Sequence, residues 1–259
     1  MKPIVSVVMP CLNGLPYLRQ AIESVQSQTH REWELIIIDD GSTDGSPQAV
    51  EAAAREDGRI VQLATSGRTG AARTRNVGLS RATGRYVAFL DCDDWWHREK
   101  LARQLDRLER ENATFCCSPY FVCDKAGSPL RLQQVRRPLT IDRVIRKQVV
   151  IGCLTVVVDR DALGEFRFNE DLPLVEDFLL WCELLTRSAQ KGRPVASTVE
   201  PLAYYRVHAG GQSARKLRHA RAHWHVLKHE LHLSAPVAAF CFASYVINGL
   251  LDRARTGGP

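Results

Sequence analysis

Two hydrophobic periods alternate through the first third of the chain. Residues 4 to 9 form a near-continuous apolar run, which predicts a strand buried on both faces, as parallel strands usually are. Leu18, Ala21, Ile22 and Val25 then recur at helical spacing and place one apolar stripe along residues 16 to 27. The pattern continues with a strand over 35 to 38, a helix through Ala49, Val50, Ala53 and Ala54, a strand over 60 to 63, a helix over 71 to 82 and a strand over 86 to 90. Such alternation predicts an α/β fold, an open and mostly parallel sheet flanked by helices, whose ligands bind outside the carboxyl ends of the strands. Asp39 and Asp40 close the second strand and Asp91 closes the fourth, so two distant segments deliver carboxylates to one rim.

Past residue 112 the pattern loosens. Strands are expected over 115 to 122, 155 to 158 and 195 to 199, and a helix over 177 to 186. Residues 214 to 233 carry Leu217, Ala220, Trp224, Leu227 and Leu231 at spacings of three and four, which predicts an amphipathic helix with a basic, histidine-rich opposite face. A last apolar stretch, 235 to 251, is interrupted by Pro236, Ser244 and Asn248 and is short for a membrane span. The expected organisation is one domain over 1–213, in two halves meeting near 112, with a helical tail over 214–259.

Composition changes this picture little. With 259 residues, 45% hydrophobic and 25% charged, the chain is large enough for a self-sufficient core and is neither disordered nor fibrous in class. The eight cysteines show no C-x-x-C spacing and read as buried reduced thiols of a cytosolic protein, and no secretion signal is visible. A net charge of +6 suits an anionic partner such as a nucleotide, a phospholipid headgroup or an acidic glycan, and equally serves solubility. No nucleic-acid partner is expected. The basic face of the 214–233 helix, with Arg215, Lys216, Arg218, Arg221 and Lys228, either lies against anionic lipid with Trp224 at the interface or packs on the domain.

The run Phe89-Leu90-Asp91-Cys92-Asp93-Asp94 carries the most chemistry. Residues two apart on an extended chain face the same side, so Asp91 and Asp93 can address one ligand with the hard oxygen donors that suit Mg²⁺ or Mn²⁺. The same run also reads as an acidic turn in which Asp94 caps a helix bearing Leu101, Leu105 and Leu108. Upstream, Asp39-Asp40-Gly41-Ser42 ends a strand in two acids and a tight turn, fit to present a carboxylate to a base or a ribose hydroxyl. His219 and His223, like His225 and His229, are four apart, a chelating spacing, although a solvated polar face explains them better.

Taken together, Ser6-Val7-Val8-Met9-Pro10-Cys11-Leu12-Asn13-Gly14, the Asp-Asp-Gly-Ser turn, Gly70 with residues 72 to 78 (ARTRNVG) and Leu90 to Asp94 resemble glycosyltransferase family 2 over at least the first 110 residues. The resemblance implies the GT-A fold, inverting transfer from a nucleotide-diphosphate sugar, often UDP-linked, and a divalent metal. It implies that Asp40 contacts the nucleobase and that Pro10, Asn13 and Arg75 line the nucleotide pocket. Asp91, with Cys92 beside it, would sit near the ribose and sugar, and Asp93 or Asp94 would ligate Mn²⁺ or Mg²⁺.

Val175-Glu176-Asp177-Phe178 looks like the family's Glu-Asp motif, which opens a helix and supplies the general base, with Asp177 first and Glu176 in reserve. Acids at a helix start are also favoured by the macrodipole alone. Tyr205-Arg206-Val207-His208, followed by Ser213, resembles a family segment near the diphosphate. There Arg206 would contact the nucleotide-sugar, and His208 would ligate metal, bind phosphate or simply occupy a surface loop.

The resulting expectation is an inverting transferase acting on a glycan, lipid-linked or cell-envelope acceptor, cytoplasmic or peripheral on the inner membrane face. A nucleotidyltransferase would bring a glycine-rich loop near the first strand, where Pro10 to Gly14 hold one glycine. A degenerate nucleotide-binding scaffold would not need Asp40, Asp91, Asp93 and Asp177 together.

Overall fold

The computed structural model describes residues 4–172, 174–208 and 216–256, with side chains in the last segment over 218–251. Ser213, Ala214 and Arg215, and the side chains of Lys216 and Leu217, lie outside the described residues, as does the boundary expected at 213/214.

The first third folds as its hydrophobic periods dictate. In order come β1 (Val5–Cys11), α1 (Leu15–Gln26), β2 (Trp33–Asp39), α2 (Ser46–Glu56), β3 (Ile60–Ala64), α3 (Ala71–Arg81) and β4 (Tyr86–Phe89). The four strands pair in parallel in the order β4-β1-β2-β3, with Val8 opposite both Ile36 and Phe89. Their apolar runs are continuous because both faces are covered. Alternate residues divide between two cores: Val5, Val7, Met9, Leu35 and Ile37 enter one, and Val8, Ile36, Ile38 and Phe89 enter the other.

The second half adds β5 (Trp95–Trp96), α4 (Lys100–Arg110), β6 (Phe115–Cys117), β7 (Tyr120–Cys123), β8 (Pro129–Gln133), α5 (Ile141–Ile145), β9 (Val157–Asp159), α6 (Arg160–Leu163), α7 (Glu176–Gln190), β10 (Ala196–Ser197) and β11 (Ala203–Arg206). Strands β9, β6 and β10 extend the main sheet to seven strands beyond β4, with β9 antiparallel to both neighbours. A second sheet, β5-β11-β7-β8, stands beside it. The single strand expected over 115 to 122 is therefore two strands in different sheets. Pro119 lacks the N–H that a continuous ladder needs, and the chain changes sheet there.

The tail comprises α8 (Lys216–His225), a π-helical turn (Val226–Glu230) and α9 (Ala235–Thr256). The interruptions expected within 235 to 251 do not interrupt the helix. Pro236 lies in the first turn, where its missing N–H costs nothing, and Ser244 Oγ and Asn248 Nδ2 both donate to the Arg146 carbonyl, at 3.1 and 2.9 Å. His223 is not on a solvated face either. Its ring packs 4.5 Å from that of Phe178 and 4.0 Å from that of Tyr245, and burial lowers its pKa to about 4.

Helix α3 must approach the sheet closely. A Cβ at Gly78 would lie 2.5 Å from Val8 Cγ1 and 2.7 Å from Ile38 Cδ1, both fully buried. Gly78→Ala gains about 1 kcal/mol of helix propensity but overpacks two branched side chains fixed on strands, at about 1–3 kcal/mol. Overpacking is expected to win, so calorimetry of Gly78→Ala should show a Tm several degrees below that of the wild type. An unchanged or higher Tm would show that the helix can lift off the sheet freely.

Candidate active site

The carboxyl ends of β1, β2 and β4 share one rim, because the three strands are parallel neighbours. Asn13, just past β1, adopts a left-handed conformation at φ 52°, and its Oδ1 accepts from the Thr43 backbone N–H at 2.8 Å. Its own N–H donates to Ser42 Oγ at 2.9 Å, so the loop after β1 and the turn after β2 are stitched together. Pro10 lies within β1 opposite Ile38. Asp39 Oδ2 accepts from the Gly41 and Ser42 N–H groups, while its Oδ1 is buried with no partner among the described residues.

Asp40, the acid expected at the nucleobase, is held by donors from the loop after β3. It is 4% exposed, and its carboxylate accepts from Thr65 Oγ1, from the Thr69 N–H and hydroxyl, and from the Gly70 N–H, at 2.8 to 3.0 Å. Burial opposes the charge, but these donors together hold its pKa below the usual carboxylate value. Asp40 thus fastens the loop that leads into α3.

Two arginines organise the rest of the rim. Arg75 of α3 is buried, and its guanidinium donates to Asp91 Oδ1 at 2.7 Å and to Glu176 Oε1 at 3.0 Å. Its desolvation is outweighed by the charges around it, Asp91 foremost, and its pKa stays above the ordinary value. The next residue, Asn76, exchanges two 2.9 Å hydrogen bonds with the Phe168 backbone and anchors the segment that leads to α7. Arg206 of β11 is 4% exposed and lies between the rings of Tyr17 and Trp95, 4.5 Å from each centroid. Its backbone N–H donates to Asp94 Oδ1 at 2.7 Å, and its Nε donates to the Asp93 carbonyl at 2.9 Å.

The acidic loop is therefore sorted by direction. Asp94 is 1% exposed and turned onto β11, with Oδ2 buried and without a partner among the described residues; it does not cap α4, whose N-cap is Glu99. Asp93 faces His208, with Oδ2 2.8 Å from Nε2, and the His208 ring rests 5.3 Å from that of Tyr17. Burial, then the charge of Asp91, raises the Asp93 pKa; burial, then Asp93, raises that of Asp94 well above normal. Three carboxylates crowded this way would be relieved by a bound cation. Among the described residues no group of three or more His, Cys, Asp or Glu forms a ready-made metal cage. A carboxylate and an imidazole at an open rim fit an ion that completes its shell with phosphate and water.

Asp177 follows Glu176 in the first turn of α7. With Glu176 committed to Arg75, Asp177 has, among the described residues, one short bond, from the Phe178 N–H at 2.7 Å. Burial, then the neighbouring charge of Glu176, pushes its pKa up to about 7. The structure thus brings Asn13, Asp39, Arg75, Asp91, Asp93, Glu176 and His208 to one rim, while turning Asp40, Asp94 and Arg206 inward as its supports. Asn76 was the residue that the sequence reading passed over, although it stands inside a motif it used.

A sequence profile described as Glycosyl transferase family 2 matches residues 6–167, well over half of the chain. The chain is 35% identical over 253 residues to a Bacillus subtilis protein named for glycosyl transfer in teichuronic acid biosynthesis, covering 97% of this chain and 98% of that one. It is 32% identical over 258 residues to an Escherichia coli β-1,3-glucosyltransferase whose name gives UDP-Glc as donor and α-D-GlcNAc-diphosphoundecaprenol as acceptor, covering 96% and 95%. Among solved structures, S. aureus TarS 1–349 in complex with UDP-GlcNAc superposes with a TM-score of 0.74 at 19% identity, over 96% of this chain and 72% of that one. A Pyrobaculum calidifontis mannosyltransferase in complex with GDP-Man and Mn²⁺ gives 0.66 at 20% identity, over 100% and 77%. The fold is that of the GT-A structures.

The raised pKa of Asp177 makes a stability prediction. The unfolded chain binds this proton with a pKa of about 4, and the folded chain with one of about 7. The native state therefore holds the proton more tightly, and its stability falls as pH rises through that window. Asp177→Asn removes the titration, so calorimetry should show a larger gain in Tm over wild type at pH 8 than at pH 5. Equal shifts at both pH values would contradict the raised pKa.

Proposed function

The chain belongs to glycosyl transferase family 2, and on that footing we propose that it moves a sugar from a UDP-sugar, with inversion, to a hydroxyl of a lipid-linked cell-envelope glycan. Membership sets aside the nucleotidyltransferase and scaffold readings. UDP as carrier and a lipid-linked acceptor are supported by the E. coli relative's name, and the nucleotide half of the reading by the UDP-GlcNAc complex of the similar fold.

The observation that carries the mechanism is the division of labour at the start of α7. Glu176 is neutralised by Arg75, and Asp177 is left with a pKa near that of the medium, the best value for a group that must both be charged and accept a proton. Asp177 takes the proton of the acceptor hydroxyl as it attacks the anomeric carbon. Pro10, Asn13 and the Asp39-Asp40 turn would line the nucleobase, and Asp91 and Cys92 would lie toward the ribose and sugar. Asp93 and His208 would hold Mn²⁺ or Mg²⁺, and a cation there supplies charge neutralisation for the leaving diphosphate. Arg206 and Asp94 position that loop rather than touch the donor. On this reading residues 1–112 bind the donor and 113–213 the acceptor.

Calorimetry and turnover assays test it together. UDP should bind Asp177→Asn as it binds wild type, while transfer falls by about 10²–10⁴. Asp93→Asn should lose the difference in UDP affinity between Mn²⁺ and EDTA. Near-normal transfer by Asp177→Asn would remove it as the base, and equal UDP affinity of the wild type with and without metal would remove the metal site.

Residues 216–251 are the membrane-facing part of this proposal. No helix among the described residues is long and apolar enough to cross a membrane. One side of α9 is buried through Ala238 and Cys241, whereas Val237, Phe240, Val246, Ile247 and Leu250 are exposed, with the Arg146 guanidinium 4.9 Å from the Phe240 ring. An apolar stripe beside cationic side chains suits shallow insertion into an anionic lipid surface. Wild type should sediment with vesicles containing phosphatidylglycerol, and Phe240→Asp with Ile247→Asp should stay in the supernatant while still binding UDP. Equal sedimentation of both proteins would place the contact elsewhere.

A further inference from the structure

The mechanism leaves a pair of sulfurs at the centre of the rim unused. The parallel ladder between β1 and β4 runs from Val5 opposite Tyr86 to Val8 opposite Phe89, and carried forward three residues it sets Cys11 beside Cys92. Adjacent strands stand about 4.8 Å apart, within the roughly 4.4–6.8 Å over which two Cα atoms accept a disulfide. Gly14 marks where the side chains meet, since a Cβ there would lie 2.7 Å from Cys92 Sγ and 3.1 Å from Cys11 Sγ. Both residues are free cysteines, 1% and 8% exposed. Adjacent Cys116 and Cys117 offer no such pairing, because they point into opposite cores.

We propose that Cys11 and Cys92 are an oxidisable dithiol that a hydroperoxide closes into a disulfide, fastening β1 to the acidic loop and weakening nucleotide binding. The loss of binding rests on the reading of this rim as the donor site; the disulfide does not. The chemistry favours Cys11 as the first nucleophile: hydrogen bonds, from the Cys92 thiol foremost and then from the Ser46 hydroxyl and the Gly14 backbone, outweigh its burial and hold its pKa below the usual thiol value, whereas donation to Cys11 and burial push that of Cys92 well above it. The Cys11 thiolate attacks a peroxide oxygen, the O–O bond breaks and hydroxide or alkoxide leaves, giving a sulfenic acid. The Cys92 thiol loses its proton and attacks that sulfur, expelling hydroxide. Two thiols are oxidised, one peroxide is reduced, and with hydrogen peroxide two waters form. Cys92 stands between Asp91 and Asp93, so a bond to Cys11 would pin the loop that carries both carboxylates to the end of β1.

Native protein is treated with hydrogen peroxide, quenched, denatured for a free-thiol count and digested for mass spectrometry, with UDP affinity measured before and after in Mn²⁺. Expected are the loss of two of the eight thiols, a peptide linked through Cys11 and Cys92, and a fall in UDP affinity of about tenfold or more, all reversed by a reductant. Cys11→Ser and Cys11→Ala, each checked for folding by circular dichroism, should show the same UDP affinity before and after peroxide, whatever value they start from. Eight intact thiols, a sulfinic acid without a link, or a disulfide joining other cysteines overturns the proposal. A Cys11–Cys92 link with unchanged UDP affinity overturns the switch. A reversible link in a protein that binds UDP in neither state supports the dithiol and sinks the donor-site reading instead.

Discussion

The rim depends on one buried guanidinium. Arg75 ties Asp91, which follows β4, to Glu176, which opens α7 and lies 101 residues after the arginine, so the strands of the first half and a helix of the second meet through a single planar cation. Burying a charge is costly, and two carboxylates with good geometry offset that cost; removing one partner of such a group typically costs about 3–5 kcal/mol. The clamp also decides which acid is free. Because Glu176 is held, its neighbour feels the same apolar surroundings and a like charge without a cation of its own, which is the physical origin of the raised pKa of Asp177.

A second arginine repeats the device on the other side of the acidic loop. Arg206, sandwiched by Tyr17 and Trp95, fixes Asp94 through its backbone N–H and the Asp93 carbonyl through its side chain. This gives the small second sheet a purpose, since β11 carries Arg206 and then His208 to the loop. The result is a cluster of carboxylates held against their mutual repulsion, with the pKa values of Asp93 and Asp94 raised by burial and by their acidic neighbours. Like charges held this close lower the local stability below what packing alone would allow.

The tail is tied to the start of α7 by aromatic packing. Phe178, the residue after Asp177, contacts His223, and His223 in turn stacks on Tyr245 of α9. A neutral imidazole suits that stack, consistent with its depressed pKa. The outer face of α9 is then left over, apolar and exposed, because a helix packed on one side has nothing intramolecular to cover the other.

Amino-acid sequence alone was enough for the parallel β/α start of the chain, the carboxyl-end rim and the two acidic segments that reach it, because those depend on short-range periodicity and on residues ending strands. It was also enough for the family, through four motifs whose order and spacing are local. Ser118-Pro119 was readable as a break in hindsight, but periodicity could not say that Phe115–Cys117 and Tyr120–Cys123 belong to different sheets. Only the tertiary structure decided that Asp40 and Asp94 face inward, that Glu176 is neutralised, that Cys11 lies beside Cys92, and that α9 runs unbroken past Pro236, Ser244 and Asn248. Each of those depends on which hydrogen-bond donor or charge arrives from a segment tens of residues away, and a carboxylate's direction and pKa are set by that arrival rather than by its neighbours in the chain.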